Sequence, residues 1–334
     1  MREFGTETET VRPSPTFEGS GPSVVAVGGG HGLAQALRAI TRYAGRITAV
    51  VTVADDGGSS GRLAPAFDIP PPGDIRQCLL ALTPDDSVWR TLFDHRFTEG
   101  DVEGHSLGNL ILAALTEGMG DFESALREAE RLLGSIGSVV PASQSRLHLV
   151  ATINGERVEG QVAIAMHRGT IRDLVVTPTD ATAAPSALSA ILGADQIILG
   201  PGSLYTSVLA ALVVPGIVEA INSAPASLVY IANLITQDGE TLGMDGADHL
   251  QAMLEITGVR PPSSIVANRA ALAVDPPLES VVVEPAVVET YGVDVVFADV
   301  VERDAGWPSH DPARLGEVLG LLHSNELDQR GADS

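Results

Sequence analysis

The stretch VVAVGGGHGLAQALRAI, residues 24–40, constrains the fold more than any other part of the chain. A β-branched run meets four glycines in five positions and then becomes a helical pattern. Glycine at a strand-to-helix junction permits positive φ and close backbone approach. The helix that follows begins with unpaired N–H groups and the positive end of its dipole, which together suit a phosphate. We therefore predict a strand over 24–27, a bend shaped by Gly28, Gly29, Gly30 and Gly32, and a helix over about 33–43. His31, inside the bend, either donates to a phosphate or is solvated. The bend departs from G-x-G-x-x-G, because Leu33 stands where the third glycine would be. That argues against a dehydrogenase, and neither nicotinamide nor flavin is expected as a cofactor.

The next strand is expected over 47–53, and the β–bend–α–β order predicts adjacent parallel strands with a right-handed crossover. Residues 57–72, rich in Gly, Ser and Pro, read as a long loop of the kind that carries function. From about 74 to 135 apolar residues recur at three- and four-residue spacing, which predicts a helical insertion. Residues 146–177 switch to period two and read as an antiparallel meander turning at NGE and RGT. The α/β alternation then resumes with QIILG, SLVYIANL, SIVAN, SVVVE and DVVFADVV as strands, and with DPARLGEVLGLLH as the last helix. These patterns predict one α/β domain over 23–325. Its sheet is doubly wound and mostly parallel, with the middle segment inserted. Residues 1–22 read as a disordered leader without an apolar signal core, and 326–334 as a disordered tail.

Ligands of open α/β sheets sit beyond the carboxyl ends of the strands. Asp55 and Asp56 end the second strand there. An acid in that place accepts from ribose hydroxyls or, with phosphate oxygens, holds Mg²⁺. Adjacent residues point opposite ways in extended chain, so one of the two is expected to face the ligand. Ser59, Ser60 and Arg62 follow as candidates to close over an anion. GPGSLYTS repeats the bend logic with Gly200, Pro201 and Gly202, where Ser203 either caps the helix or serves a phosphate, and Thr206 and Ser207 occupy the first turns. PPGDIRQC puts Asp74 at a helix start as a candidate N-cap, with Arg76 as the nearest cation. GHSLG matches the G-x-S-x-G elbow by letters but lacks the buried strand that an elbow needs; Asn109 after it is the more interesting polar group. Asn233, Thr236 and Gln237 end a later strand and suit a base or sugar. The other seven histidines lack metal-ligand spacing and read as surface or structural.

Composition narrows the function. The net charge is −23 in 334 residues, which disfavours a nucleic-acid face. All 20 basic residues are arginine, so a phosphate-binding lysine and a Schiff base are excluded. A single cysteine, Cys78, excludes intramolecular disulfides. No apolar run reaches membrane-spanning length, and a cytoplasmic protein is expected, with a homodimer as the default for such sheets.

Six ordered motifs, VGGGHGL, TVADDGGSSGRL, PPGDIRQCL, GHSLGNL, LGPGSLYTSVL and TQDGET, together resemble the gluconeogenesis factor family, the YvcK-type branch of the CofD-like superfamily. The resemblance implies a Rossmann-like (CofD-like) fold that binds a UDP-sugar, UDP-N-acetylglucosamine in particular. It implies a role in cell shape and cell-wall synthesis on gluconeogenic carbon, and for some members phosphorylation by a Ser/Thr protein kinase. The transferase branch moves a phospholactyl unit from a nucleotide diphosphate to a deazaflavin precursor with Mg²⁺. On that likeness the two glycine bends face the nucleotide and Asp55 or Asp56 the metal. Two functions are thus expected: a nucleotide-sugar-binding regulator without turnover, or a Mg²⁺-dependent 2-phospho-L-lactate transferase.

Overall fold

The computed structural model describes residues 20–303 and 305–332; most of the predicted leader lies outside them. Strands β1 (Ser23–Gly28) and β2 (Arg46–Val51) are joined by α1 (Gly30–Ile40). Five helices follow: α2 (Gly58–Phe67), α3 (Pro72–Ala81), α4 (Val88–Asp94), α5 (Leu107–Met119) and α6 (Phe122–Leu133). Next come β3 (Ser138–Pro141), β4 (His148–Ile153), β5 (Glu156–Glu159), α7 (Gln161–Met166), β6 (Ile171–Thr177), α8 (Pro185–Leu192) and β7 (Gln196–Leu199). A π-helix (Leu204–Leu209) runs into α9 (Ala210–Leu212), followed by α10 (Ile217–Ser223), β8 (Ser227–Ile231), α11 (Gly246–Thr257) and β9 (Ser264–Asn268). The chain continues through α12 (Pro285–Val288) and β10 (Asp294–Ala298) to α13 (Pro312–Ala332).

Seven strands form one parallel sheet in the order β10-β9-β8-β7-β1-β2-β3, and β5-β4-β6 form a small antiparallel sheet. The central strands are apolar throughout, as strands covered on both faces must be: Val24 to Val27 and Ile197 to Leu199 are buried. The strand order reverses between β1 and β7, which pair with Val27 opposite Leu199. The two glycine bends therefore leave adjacent strand ends, and a crevice opens between them. Right-handed crossovers running in opposite directions put α1 on one face of the sheet, with the π-helix and α9 on the other. Among the described residues no single helix is long and apolar enough to cross a membrane. The bent pair Leu204–Leu212 and Ile217–Ser223 has the composition, but every residue of its first half is buried in the core.

The structure departs from the sequence reading in five places. The expected loop 57–72 contains α2, and Asp55 accepts from the amide of Gly57, just before it, at 2.9 Å. The meander is interrupted by α7. Gly160, at φ 97°, ends β5, and Asp56 accepts from the Val162 amide at 2.9 Å to fix the new helix. The four-residue strand β3 joins the sheet edge unforeseen. SVVVE makes only a bridge from Ser280 to Ile235. Finally, α13 continues past residue 326 to Ala332, where a disordered tail was expected.

Candidate functional site

α1 starts at the bend without a side-chain cap, so its first amides have no partner within the helix. Gly30 sits at φ 65°, where an L side chain is strained. The second bend lies against the first. A Cβ on Gly32 would come within 2.5 Å of the Pro201 carbonyl oxygen, and one on Gly202 within 3.3 Å of the Gly29 oxygen. The structure thus brings Gly28–Gly32 and Gly200–Gly202 together. Above them opens a cavity of about 550 Å³. His31, Gly32, Pro201 and Gly202 form its floor, and Asn233, Thr236 and Gln237 form one side. The Asn233 Oδ1 accepts from the Gly202 amide at 3.2 Å.

The π-helix has a different end. Glu240, buried, accepts from the Tyr205 amide at 3.1 Å, the Thr206 amide at 3.3 Å and the Thr206 hydroxyl at 2.5 Å. Gln237 Nε2 donates to the same carboxylate at 3.3 Å. Burial pushes the Glu240 carboxyl up, and the hydrogen bonds from Thr206 and Tyr205 oppose that. The amides of Tyr205 and Thr206 are thus occupied by an internal anion. Ser203 makes no side-chain cap, and Ser207 is buried beneath Gly30 and Gly202.

On the other side of the first bend stand two carboxylates. A Cβ on Gly29 would lie 2.4 Å from Asp74 Oδ2, and one on Gly73 would lie 2.8 Å from Asp55 Oδ2. Asp74 is not the N-cap of α3, a place taken by Pro71. Its carboxyl is pushed up to about 7 by burial first and then by the neighbouring Asp55 charge, against the pull of the Gly30 amide. Asp55 is pushed up mainly by burial, opposed by hydrogen bonds from Gly57 and Ser60. Three buried polar atoms in this region have no partner: Asp74 Oδ2, Thr52 Oγ1 and Asn109 Oδ1. Asp56 turns away to the α7 amide, and the carboxylate that stands beside Asp55 at this bend is Asp74. Among the described residues no three His, Cys, Asp or Glu side chains are grouped for a metal. A divalent cation here would complete its shell with phosphate and water oxygens, the usual habit of Mg²⁺.

The remaining candidates have partners within the chain, apart from the Asn109 Oδ1 noted above. Ser59 Oγ lies 3.0 Å from His105 Nδ1 and accepts from Asn109 Nδ2 at 3.1 Å. Burial, then Arg62 and Arg96, lowers the His105 pKa. Ser106 is fully buried and caps α5 by accepting from the Asn109 amide, so the elbow-like motif is a helix start. Arg62 donates to the Glu103 carbonyl at 2.8 Å. Arg76 is buried against Asp94 at 2.8 Å. Neither arginine lines the cavity. Among the other lining residues are Trp307, which the sequence reading passed over, and His310, which it took as surface or structural. The latter is buried, and its pKa is lowered to about 4 by desolvation.

A family model described as 2-phospho-L-lactate transferase CofD matches residues 24–301. A gluconeogenesis factor of Halalkalibacterium halodurans is 47% identical over 239 residues, 71% of this chain and 74% of that protein. The gluconeogenesis factor of Bacillus subtilis is 46% identical over 242 residues, 72% of this chain and 76% of its own. A crystal structure of a Bacillus halodurans protein superimposes with a TM-score of 0.85 at 39% identity, covering 90% of this chain and 99% of that one. With the fold, the paired bends and these relatives in agreement, the chain belongs to the gluconeogenesis factor family of CofD-like proteins.

Proposed function

We propose that the protein binds a UDP-sugar, UDP-N-acetylglucosamine in particular, and acts as a regulator of cell shape and wall synthesis during growth on gluconeogenic carbon. The observation that supports this most is the uncapped start of α1 opening into a 550 Å³ cavity at the β1/β7 reversal. The diphosphate sits on the His31 and Gly32 amides, where the helix dipole favours negative charge. Asn233 and Gln237 supply amide groups for the nucleoside. The relatives' name, gluconeogenesis factor, is in keeping with the metabolic setting. Calorimetry with UDP-N-acetylglucosamine gives saturable heat on this reading. No heat and no thermal shift with several UDP-sugars would defeat it.

One observation favours a second reading. The buried Asp55–Asp74 pair with an unpartnered oxygen beside Gly29 suits a divalent cation, as a CofD-type phospholactyl transferase requires. Asp55 and Asp74 would hold the Mg²⁺, which would supply neutralisation of diphosphate charge when bound. The chain's own part is to hold the leaving nucleotide on the α1 amides while an acceptor hydroxyl oxygen attacks phosphorus, the bond to that nucleotide breaks, and the hydroxyl proton leaves to solvent. Loss of product in both Asp55→Asn and Asp74→Asn supports this reading. Absence of turnover with activated donors and a deazaflavin acceptor removes it.

A further inference from the structure

The wall of the cavity facing the bends is an arm between β10 and α13. Its two limbs are tied at the base: Glu302 N donates to the Ser309 carbonyl at 2.9 Å, and Asp311 N to the Val300 carbonyl at 2.8 Å. Val301 and His310 form an antiparallel bridge. His310 is buried and hydrogen-bonded to the Ala232 backbone just beyond β8, so the arm's base is fixed to the sheet. Near its tip Trp307 lines the cavity while 63% exposed. A large aromatic held that far into solvent stabilises the fold little, and exposed apolar surface at a cavity mouth marks a contact. Ile235 and Leu278 continue the apolar surface, and Gln237 and Ser309 add polar groups among them.

The two sides of the α1 start are unlike. On the Gly29 side stand the carboxylates of Asp55 and Asp74. On the His31–Gly32 side lie the open volume, the indole and the side-chain amides, with the Asp238 carboxylate paired to Arg168 at the border. A nucleobase needs an aromatic face and neutral hydrogen-bonding groups; a carboxylate pair serves ribose hydroxyls or a metal-bound phosphate, not a base. We propose that Trp307 is the nucleobase platform. The ligand then lies with its base stacked on the indole and its phosphates on α1. Its sugar or other transferable group points past Gly29 towards Asp55 and Asp74. This rests on the nucleotide reading above and adds the ligand's direction and the residue that selects a base.

The chain has two tryptophans, Trp89 and Trp307. Trp89 lies on α4, outside the cavity lining. In a Trp89→Phe background Trp307 is the sole indole reporter. Titration with UDP should quench it saturably, at the midpoint that calorimetry gives. Trp307→Ala should weaken UDP about 10-fold or more, the range of base–aromatic stacking, with an unchanged melting temperature. Trp307→Phe should stay within about 3-fold, because a ring remains. Pyrophosphate and N-acetylglucosamine 1-phosphate, which lack a base, should bind Trp307→Ala and wild type alike. UDP heat without a change in Trp307 emission, or full UDP affinity in Trp307→Ala, overturns the platform and leaves the nucleotide reading standing. An equal loss for N-acetylglucosamine 1-phosphate reverses the proposed direction. No UDP binding at all defeats both.

Discussion

The two glycine bends at the sheet's reversal look alike in sequence and end differently. The bend after β1 leads into a helix without a side-chain cap, and the carboxylate nearest it, Asp74, has an unpartnered oxygen. The bend after β7 leads into a π-helix whose early amides are taken by Glu240. The internal carboxylate at the second bend is satisfied by four hydrogen bonds. The one at the first bend is held against its own charge. A strand–glycine–helix pattern therefore specifies a concave backbone, and the partners delivered by the rest of the chain decide whether that backbone is a site or a joint. On the proposed function the first bend is the site, and the second is the surface against which it is built.

Two substitutions put this division under the greatest load. Glu240→Ala leaves the Tyr205 and Thr206 amides and the Thr206 hydroxyl buried without partners, a cost of about 3 kcal/mol or more. Glu240→Gln, which keeps an acceptor, should recover part of that in denaturant unfolding. If Glu240→Ala instead bound phosphate tightly with little loss of stability, the second bend would be a masked anion site and the contrast would fail. Gly32→Ala acts next. Its methyl would meet the Pro201 carbonyl oxygen at 2.5 Å and Gly202 Cα at 2.8 Å. Both are main chain, so the bends must part, at roughly 2 kcal/mol, and nucleotide affinity should fall with them.

Much of this architecture is legible in the sequence, and the failures share a cause. Buried parallel strands read as continuous apolar runs, so β1, β2, β7, β8 and β9 are visible from their residues alone. Three consecutive valines also suggest a strand at 281–283, and Val281 and Val283 are buried with Val282 exposed. The period is real, but apart from Ser280 no neighbouring strand pairs with it, and pairing is not a property of one segment. α7 is not legible because its first turn is held by Asp56 from far along the chain. The same limit applies to the site. The glycines announce the bends locally. Asp74 and Glu240 have meaning only after folding brings each to an amide, and Trp307 only after the arm is folded against β8.

The charge at the first bend gives a pH-dependent test. With its carboxyl raised from an ordinary value near 3.8 to about 7, Asp74 binds more protons folded than unfolded across that window. Its contribution to stability is then fully present below about pH 4 and is lost as pH rises through 7. Asp74→Asn should melt a few degrees above wild type at pH 8 and close to it at pH 4. Glu130, also raised to about 7 by burial at the junction of α6 and β3, has the same sign and serves as the control. Glu130→Gln should flatten the profile as well, but only Asp74→Asn should abolish stabilisation by Mg²⁺ with UDP. A profile unchanged by Asp74→Asn would mean that the first bend carries no frustrated charge.

The smallest effect is expected at the outside of the second bend. Arg168 donates to Asp238 through both Nε, at 3.0 Å, and a terminal nitrogen, at 2.8 Å, tying the chain after α7 to the loop that holds Gln237. Both partners are exposed and screened by solvent, which makes such pairs weak whatever their geometry. If Glu240 already fixes this loop from within, Arg168→Ala should lower the melting temperature by under about 2 °C, with UDP affinity nearly unchanged. The difference from wild type should vanish in about 1 M salt, where the screening length is only about 3 Å. A loss of UDP affinity greater than about 10-fold would have a specific meaning. Asp238 borders the same cavity, and without its guanidinium it would set a bare carboxylate near the phosphates. The second bend would then depend on an external clamp, and its difference from the first would be one of degree.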